Sequence, residues 1–383
     1  MSGPGAALRP SRMTERARQI AELSDDPIAF STLQEGLAYC ETSYGYIAYR
    51  RVLGVDITLG PPIAAPADRA ALIDRFLQTS RRPVFCYLRA PEAAQVQAQA
   101  RTHHGRPLRL AGMGLDRLID GRALADPAAL SKPLRGARKH AQRAGFRVER
   151  IDPSSLSASQ RQALVAITRA YLSHGPLPYE MRFLNRPFTL AYGSLGHPGE
   201  RLYLLQQAPH GAGDAVLFGY AVLNPWFAGG RITGYMLDIV RCQPTRQWGV
   251  YLALVDRLLA DLAAEGIGKL SLGFCPLYGA SGAITTGALA SLPTARLSPS
   301  LSWQVGRLEQ YLAAVPYVQR LVEMKAALPG EYEPRYFLSY SGLALPAFAA
   351  LLAACGVSLS SIIGPRLWSS IVAGWRRGSS PDQ

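Results

Sequence analysis

YMLDIVRCQPTRQWGVYLALVDRLLADLAAEGIGKLSLGFCPLYG, residues 235–279, is the stretch whose reading decides the fold. It runs through a strand end, an acidic-basic turn, a long helix and a second strand closing on Pro276, the strand–helix–strand order from which α/β sheets are built. Asp238 and Arg241 stand three apart among the apolar Leu237, Ile239 and Val240, at a strand edge. A charge buried without a partner is costly. The pair therefore either forms an internal salt bridge that fixes the strand–helix turn or serves a site.

Towards the N-terminus, strand-like runs at 44–52, 55–59 and 84–89 alternate with helical ones at 68–79 and 91–103. The pattern restarts after Asp152: 157–173 is amphipathic and opens Ser-Ala-Ser-Gln, a capping box, and strands follow near 202–207, 215–224 and 231–237. Periodicity alone thus gives two α/β units. The boundaries expected are a disordered tail over 1–26, units at 27–150 and 151–365, and a basic tail over 366–383. Residues 279–294 form a long polar connection, a lid over an acceptor site or an unstructured excursion.

At 383 residues and 48% hydrophobic, the chain is long enough for two cores. Forty-one Lys and Arg against 27 Asp and Glu give a net charge of +14, a field that attracts polyanions such as RNA or anionic lipid and equally serves as a solubilising surface. Five scattered cysteines, with no C-x-x-C pair, indicate neither a disulfide framework nor a zinc site and fit a reducing cytoplasm. The first two dozen residues lack the apolar core of a secretory signal. The uncharged stretch 336–365 is interrupted by Pro346, Gly356 and serines, which favours a buried closing helix or a surface-docking one over a span of about 20 apolar residues.

The opening stretch resembles the signature of the phosphatidylglycerol lysyltransferase C-terminal domain family, in which Asp and Arg carry the same spacing as Asp238 and Arg241. Three further blocks resemble that family in the same order: residues 35–62, with Pro61 where the family usually has Asp; residues 131–151, a basic helix leading into a strand; and residues 321–340, with Lys325 and the run Glu333-Pro334-Arg335-Tyr336. In the last block Ala327 and Leu328 replace a usual Lys-Phe, and Tyr332 a usual Trp. The resemblance implies two acetyltransferase-like (GNAT-type) domains in tandem, with mixed sheets flanked by helices. It also implies an aminoacyl-tRNA-dependent transferase whose partners are aminoacyl-tRNA and anionic phospholipid, cytoplasmic or peripheral on the membrane, here without the membrane-spanning portion of longer relatives.

An aminoacyl ester is already activated, so such a transfer needs no metal or nucleotide cofactor; positioning and charge carry the catalysis. The resemblance assigns Asp238 to orienting the acceptor or the aminoacyl ammonium and Arg241 to a phosphate or the tetrahedral oxyanion. By the same carry-over Lys325 and Arg335 line the catalytic pocket, Tyr336 meets the tRNA terminus, and Glu180 reads the aminoacyl group. Arg246 and Gly249 partly resemble a pyrophosphate-binding helix start, where backbone amides favour anions, although Tyr251 stands at the position of a further glycine. Lys132, Arg135, Arg138, Lys139 and Arg143 fall on one side of a helix, a face for tRNA phosphates or simply for solvent. The carried amino acid has no signature.

Overall fold

A computed structural model describes residues 12–105, 108–120, 132–174, 182–186, 197–207, 216–244, 250–280, 297–313, 316–340 and 344–357. In chain order the elements are α1 (Arg12–Leu23), a 3-10 turn (Ala29–Leu33), β1 (Ala38–Thr42), β2 (Gly45–Val52), β3 (Val55–Thr58), β4 (Ile63–Ala64), α2 (Arg69–Thr79), β5 (Pro83–Leu88), α3 (Ala90–His104), β6 (Arg109–Asp120), α4 (Lys132–Arg143), β7 (Phe146–Ile151), α5 (Ala158–His174), β8 (Arg201–Gln207), β9 (Val216–Ala228), β10 (Arg231–Cys242), α6 (Val250–Ala264), β11 (Lys269–Pro276), α7 (Pro299–Ala313), α8 (Pro316–Ala326), β12 (Glu331–Ser339) and α9 (Ala344–Ala354). The α/β class with mixed sheets flanked by helices is as expected, with one difference: among the described residues the strands form one 12-stranded sheet.

Its order, β1-β2-β3-β5-β12-β6-β11-β10-β9-β8-β7 with β4 beside β2, departs from chain order at β12. That late strand lies antiparallel between β5 and β6, pairing Tyr336 with Leu88 on one side and with Gly112 on the other. β12, α7 and α9 consequently share a core with residues 28–115, through Leu301, Val305, Phe337 and Leu351. Ile119, α4 and β7 pack instead with β8–β11 and α6. Residues 150 and 151, the boundary expected between the two units, end β7 at a sheet edge.

The Ser-Ala-Ser-Gln start of α5 folds as a reciprocal cap: Gln160 N–H donates to Ser157 Oγ at 3.1 Å and Ser157 N–H to Gln160 Oε1 at 2.9 Å. Two readings need correction. Residues 12–26 are not a disordered tail, because α1 buries Ile20 against Phe30 and Tyr46 and pairs Arg16 with Glu41, while Asp26 is itself buried. Nor do Asp238 and Arg241 form a turn, because β10 continues through both to Cys242, paired with β9. Among the described residues no helix is long and apolar enough to cross a membrane.

Candidate active site

Residues 235–279 hold the opening, the point at which two neighbouring strands stop pairing. β10 and β11, joined through α6, run parallel but pair only at Gly234–Lys269, Tyr235–Leu270 and Met236–Ser271. Beyond Met236 each strand keeps a different neighbour, β10 with β9 and β11 with β6, and each shows an irregularity at the parting point. The crevice beyond the carboxyl ends of parallel strands is the usual ligand position in open α/β sheets.

Asp238 is the residue that the β10 irregularity sets free. Leu237 pairs with Leu223 and Ile239 with Val222, so Asp238 has no cross-strand partner, and bulges of this kind re-aim a side chain. Its carboxylate is 7% exposed and accepts the Arg186 N–H at 3.2 and 3.1 Å. Burial pushes its pKa up to about 6, against the pull of the Arg186 charge and N–H, the Asn224 side chain and the Arg241 charge. Arg186 is itself buried and ion-paired to Glu200. Arg241 does not bridge to Asp238 in the way a turn salt bridge requires: its guanidinium lies 4.4 Å over the Tyr171 ring of α5 and donates to Val240 O at 2.9 Å.

Lys325 reaches the opposite wall from α8. Its Nζ donates to Gly273 O at 2.7 Å and Phe274 O at 3.0 Å, and burial draws its pKa down. Gly273 holds φ +79°, a conformation that an L side chain rarely adopts. Arg335 is fully buried within the sheet, with Asp26 at 2.7 Å, Glu333 at 2.7 Å and Asp116 at 3.2 Å. The Tyr87 ring lies 4.6 Å from it, and Tyr87 O–H donates to Asp116 at 2.8 Å.

The two closing residues nevertheless converge on one glycine. Ser271 O–H donates to the other Asp116 oxygen at 2.8 Å and accepts the Gly273 N–H at 3.0 Å. Arg335 therefore acts on the opening through Asp116, Ser271 and Gly273, whereas Lys325 holds the same glycine by its carbonyl.

Tyr336 lies in the core of the first half, its hydroxyl buried and without a hydrogen-bond partner among the described residues. Of the basic helix, Arg138 turns inward to a bidentate pair with Asp256 at 2.8 and 2.6 Å. Lys132, Arg135, Lys139 and Arg143 are exposed. Between α4, β7 and α6 lies a groove of about 810 Å³ lined in part by Arg138, Arg147 and Asp256. Glu180, Arg246 and Gly249 and the connection from 281 lie outside the described residues.

The sequence reading passed over Asp116, Ser271, Asn224 and Arg186. Asp116 sits in Leu-Asp-Arg-Leu, a charge within an apolar run, the signal that singled out Asp238. Arg186 and Asn224 carry no local signal, since only the fold brings them to Asp238.

A family model described as phosphatidylglycerol lysyltransferase, C-terminal, matches residues 17–339. An uncharacterized protein of Corynebacterium glutamicum is 26% identical over 280 residues, 70% of this chain and 33% of that protein. The lysylphosphatidylglycerol biosynthesis bifunctional protein LysX of Mycobacterium leprae is 28% identical over 233 residues, 60% of this chain and 19% of that protein. The chain thus spans about a third and a fifth of these relatives. Among solved structures, the C-terminal domain of a putative lysylphosphatidylglycerol synthetase from Agrobacterium fabrum has a TM-score of 0.67 at 17% identity, covering 91% of this chain and 99% of that one. L-PGS from Bacillus licheniformis has 0.65 at 14%, covering 90% and 95%. At these identities the likeness is one of fold.

Proposed function

The chain belongs to the phosphatidylglycerol lysyltransferase C-terminal family, and from that premise we propose that it moves an amino acid from aminoacyl-tRNA to the hydroxyl of phosphatidylglycerol, with the opening between β10 and β11 as the reaction site. The observation that carries this reading is Asp238, a buried carboxylate with no cross-strand partner and a pKa near 6, at the point where the strands part. Such a group is ionised at neutral pH yet basic enough to take a proton, the balance that general-base catalysis needs.

In the reaction, the acceptor hydroxyl oxygen attacks the aminoacyl carbonyl carbon as Asp238 takes its proton. The tetrahedral intermediate then collapses, the bond from carbonyl carbon to tRNA ribose oxygen breaks, and the proton passes from Asp238 to the departing oxygen. Lys325 has three N–H donors and uses two on Gly273 and Phe274, which leaves one for the developing oxyanion. Arg241 favours the charged form of Asp238. Arg335 is a positioning residue that acts through Asp116 and Ser271. The exposed cations of α4, Lys132, Arg135, Lys139 and Arg143, supply a track for tRNA phosphates.

The test is transfer of label from a mixed pool of charged tRNAs into organic-extractable material in the presence of phosphatidylglycerol vesicles. Label that enters the lipid phase and is lost in Asp238→Asn supports the reading. Label found only in water-soluble product overturns the lipid acceptor, and absence of any transfer overturns the aminoacyl-tRNA donor.

A further inference from the structure

We infer that the outer face of α9, with Arg50 and Arg182 at its C-terminal end and α7 beside it, is the surface on which the protein rests against an anionic phospholipid bilayer. The inference rests on the lipid-acceptor reading, to which it adds the docking face.

The helix ALPAFAALLAA contains no polar side chain. Ala347, Ala350, Leu351 and Ala354 are buried against the sheet, whereas Pro346 and Gly356 are exposed and Ala349, Leu352 and Ala353 are half-buried. A helix that is apolar all round belongs in a core or against lipid; here Leu352 leans partly on the core, and Ala349 and Ala353 are left half-exposed on the outer side. At 11 residues it is far short of the roughly 20 that span a bilayer. It can therefore lie on a bilayer but not across it.

Two features supply the charge that an anionic surface requires. At the C-terminus of α9, Arg50 donates to Ala354 O and Arg182 N–H donates to Cys355 O. Arg182 stands close enough to lower the pKa of the Arg50 guanidinium, after the effect of burial. Among the described residues neither arginine makes an ion pair. Alongside, α7 packs on α9 and turns Trp303, 69% exposed, outward one helical turn from the exposed Arg307. An aromatic ring beside a guanidinium is the side-chain pair favoured at the level of lipid headgroups.

The geometry also connects this face to the reaction site. Residues 182–186 are pinned at Arg182 to the end of α9, at Phe183 by the Gln34 amide, which donates to Phe183 O and accepts from Phe183 N–H at 2.7 Å each, and at Arg186 to Asp238. Four residues span at most roughly 14 Å. A lipid phosphate held at Arg182 would thus sit on the same short segment that is pinned to Asp238.

Partition onto vesicles tests this without turnover. With equal parts phosphatidylglycerol and phosphatidylcholine, the native protein and Asp238→Asn should sediment alike. Both should bind vesicles of phosphatidylcholine alone weakly. The outward double variant Ala349→Glu/Ala353→Glu should lose binding by about tenfold or more, and Arg182→Gln by about fivefold. Arg101→Gln, on the exposed side of α3, should change nothing.

Undiminished binding by the Glu variant or by Arg182→Gln overturns the docking face, as does equal binding to both vesicle types. If the Glu variant instead dissociates an oligomer and keeps its partition, the face belongs to a second copy, and the inference also fails. Arg182→Gln alters an exposed side chain and keeps the test decisive if the Glu variant does not fold. Loss of lipid labelling with vesicle binding intact would refute the lipid-acceptor reading and leave the docking face standing.

Discussion

Two buried charges within this sheet are treated in opposite ways. Arg335 has no exposed surface and meets three carboxylates, Asp26, Asp116 and Glu333, together with the face of Tyr87. Asp238 is nearly as buried but is held by a backbone N–H and by neighbouring charges, and burial wins, lifting its pKa to about 6. A fully compensated charge holds a structure in one arrangement. An under-compensated one is held away from its preferred protonation state, the condition in which a proton can be exchanged near neutral pH.

The sharpest way to break the comparison is Arg335→Met, which removes the buried cation that Asp26, Asp116 and Glu333 share and should lower unfolding stability by about 3–5 kcal/mol, read from the denaturant midpoint. A variant as stable as the native protein would place Arg335 with the reactive groups instead. Asp238→Asn should reduce transfer by about 100-fold or more with the fold intact. Its stability should move in the opposite sense from that of Arg335→Met. A carboxyl whose folded pKa is raised from 3.8 to about 6 contributes stability that is present below about pH 4 and lost as pH rises through 6. The Asn variant should therefore match the native protein at pH 4 and exceed it at pH 7 by up to on the order of 3 kcal/mol.

The native transfer rate should in turn rise as pH increases through about 6 and then level off; a flat profile over pH 5–7 would remove Asp238 as the base. Lys325→Met should slow transfer by about tenfold to 100-fold at unchanged tRNA affinity. The smallest effect expected is that of Arg143→Gln, which should weaken tRNA binding a few-fold and flatten its salt dependence by about one unit of slope, with the rate at saturating tRNA unchanged.

What sequence could reveal divides along the range of the interactions involved. The α5 cap, Ser157 to Gln160, is local, and its two hydrogen bonds form as the spacing predicts. Asp238 was visible because a charge in an apolar run demands a reason, and Asp116 gave the same signal. The continuation of β10 past Asp238 was not visible, because it depends on β9 for its partner. Nor was the burial of 12–26, since α1 gains its stability from Phe30 and Tyr46 rather than from its own polar sequence. Lys325 reaches Gly273 directly and Arg335 reaches it through Asp116 of β6 and Ser271 of β11, two strands that no spacing rule connects.

The place of β12 bears on how the molecule is made. β5 and β6 are neighbours only through this strand, which follows β6 by more than half the chain. While a ribosome adds those residues at about 5–20 per second, β5 and β6 wait with open edges, the state in which strands recruit the wrong partner. The first half of the nascent chain thus cannot complete its core ahead of the second. Mistakes in biogenesis should concentrate there, where chaperone protection during translation would have the most to offer.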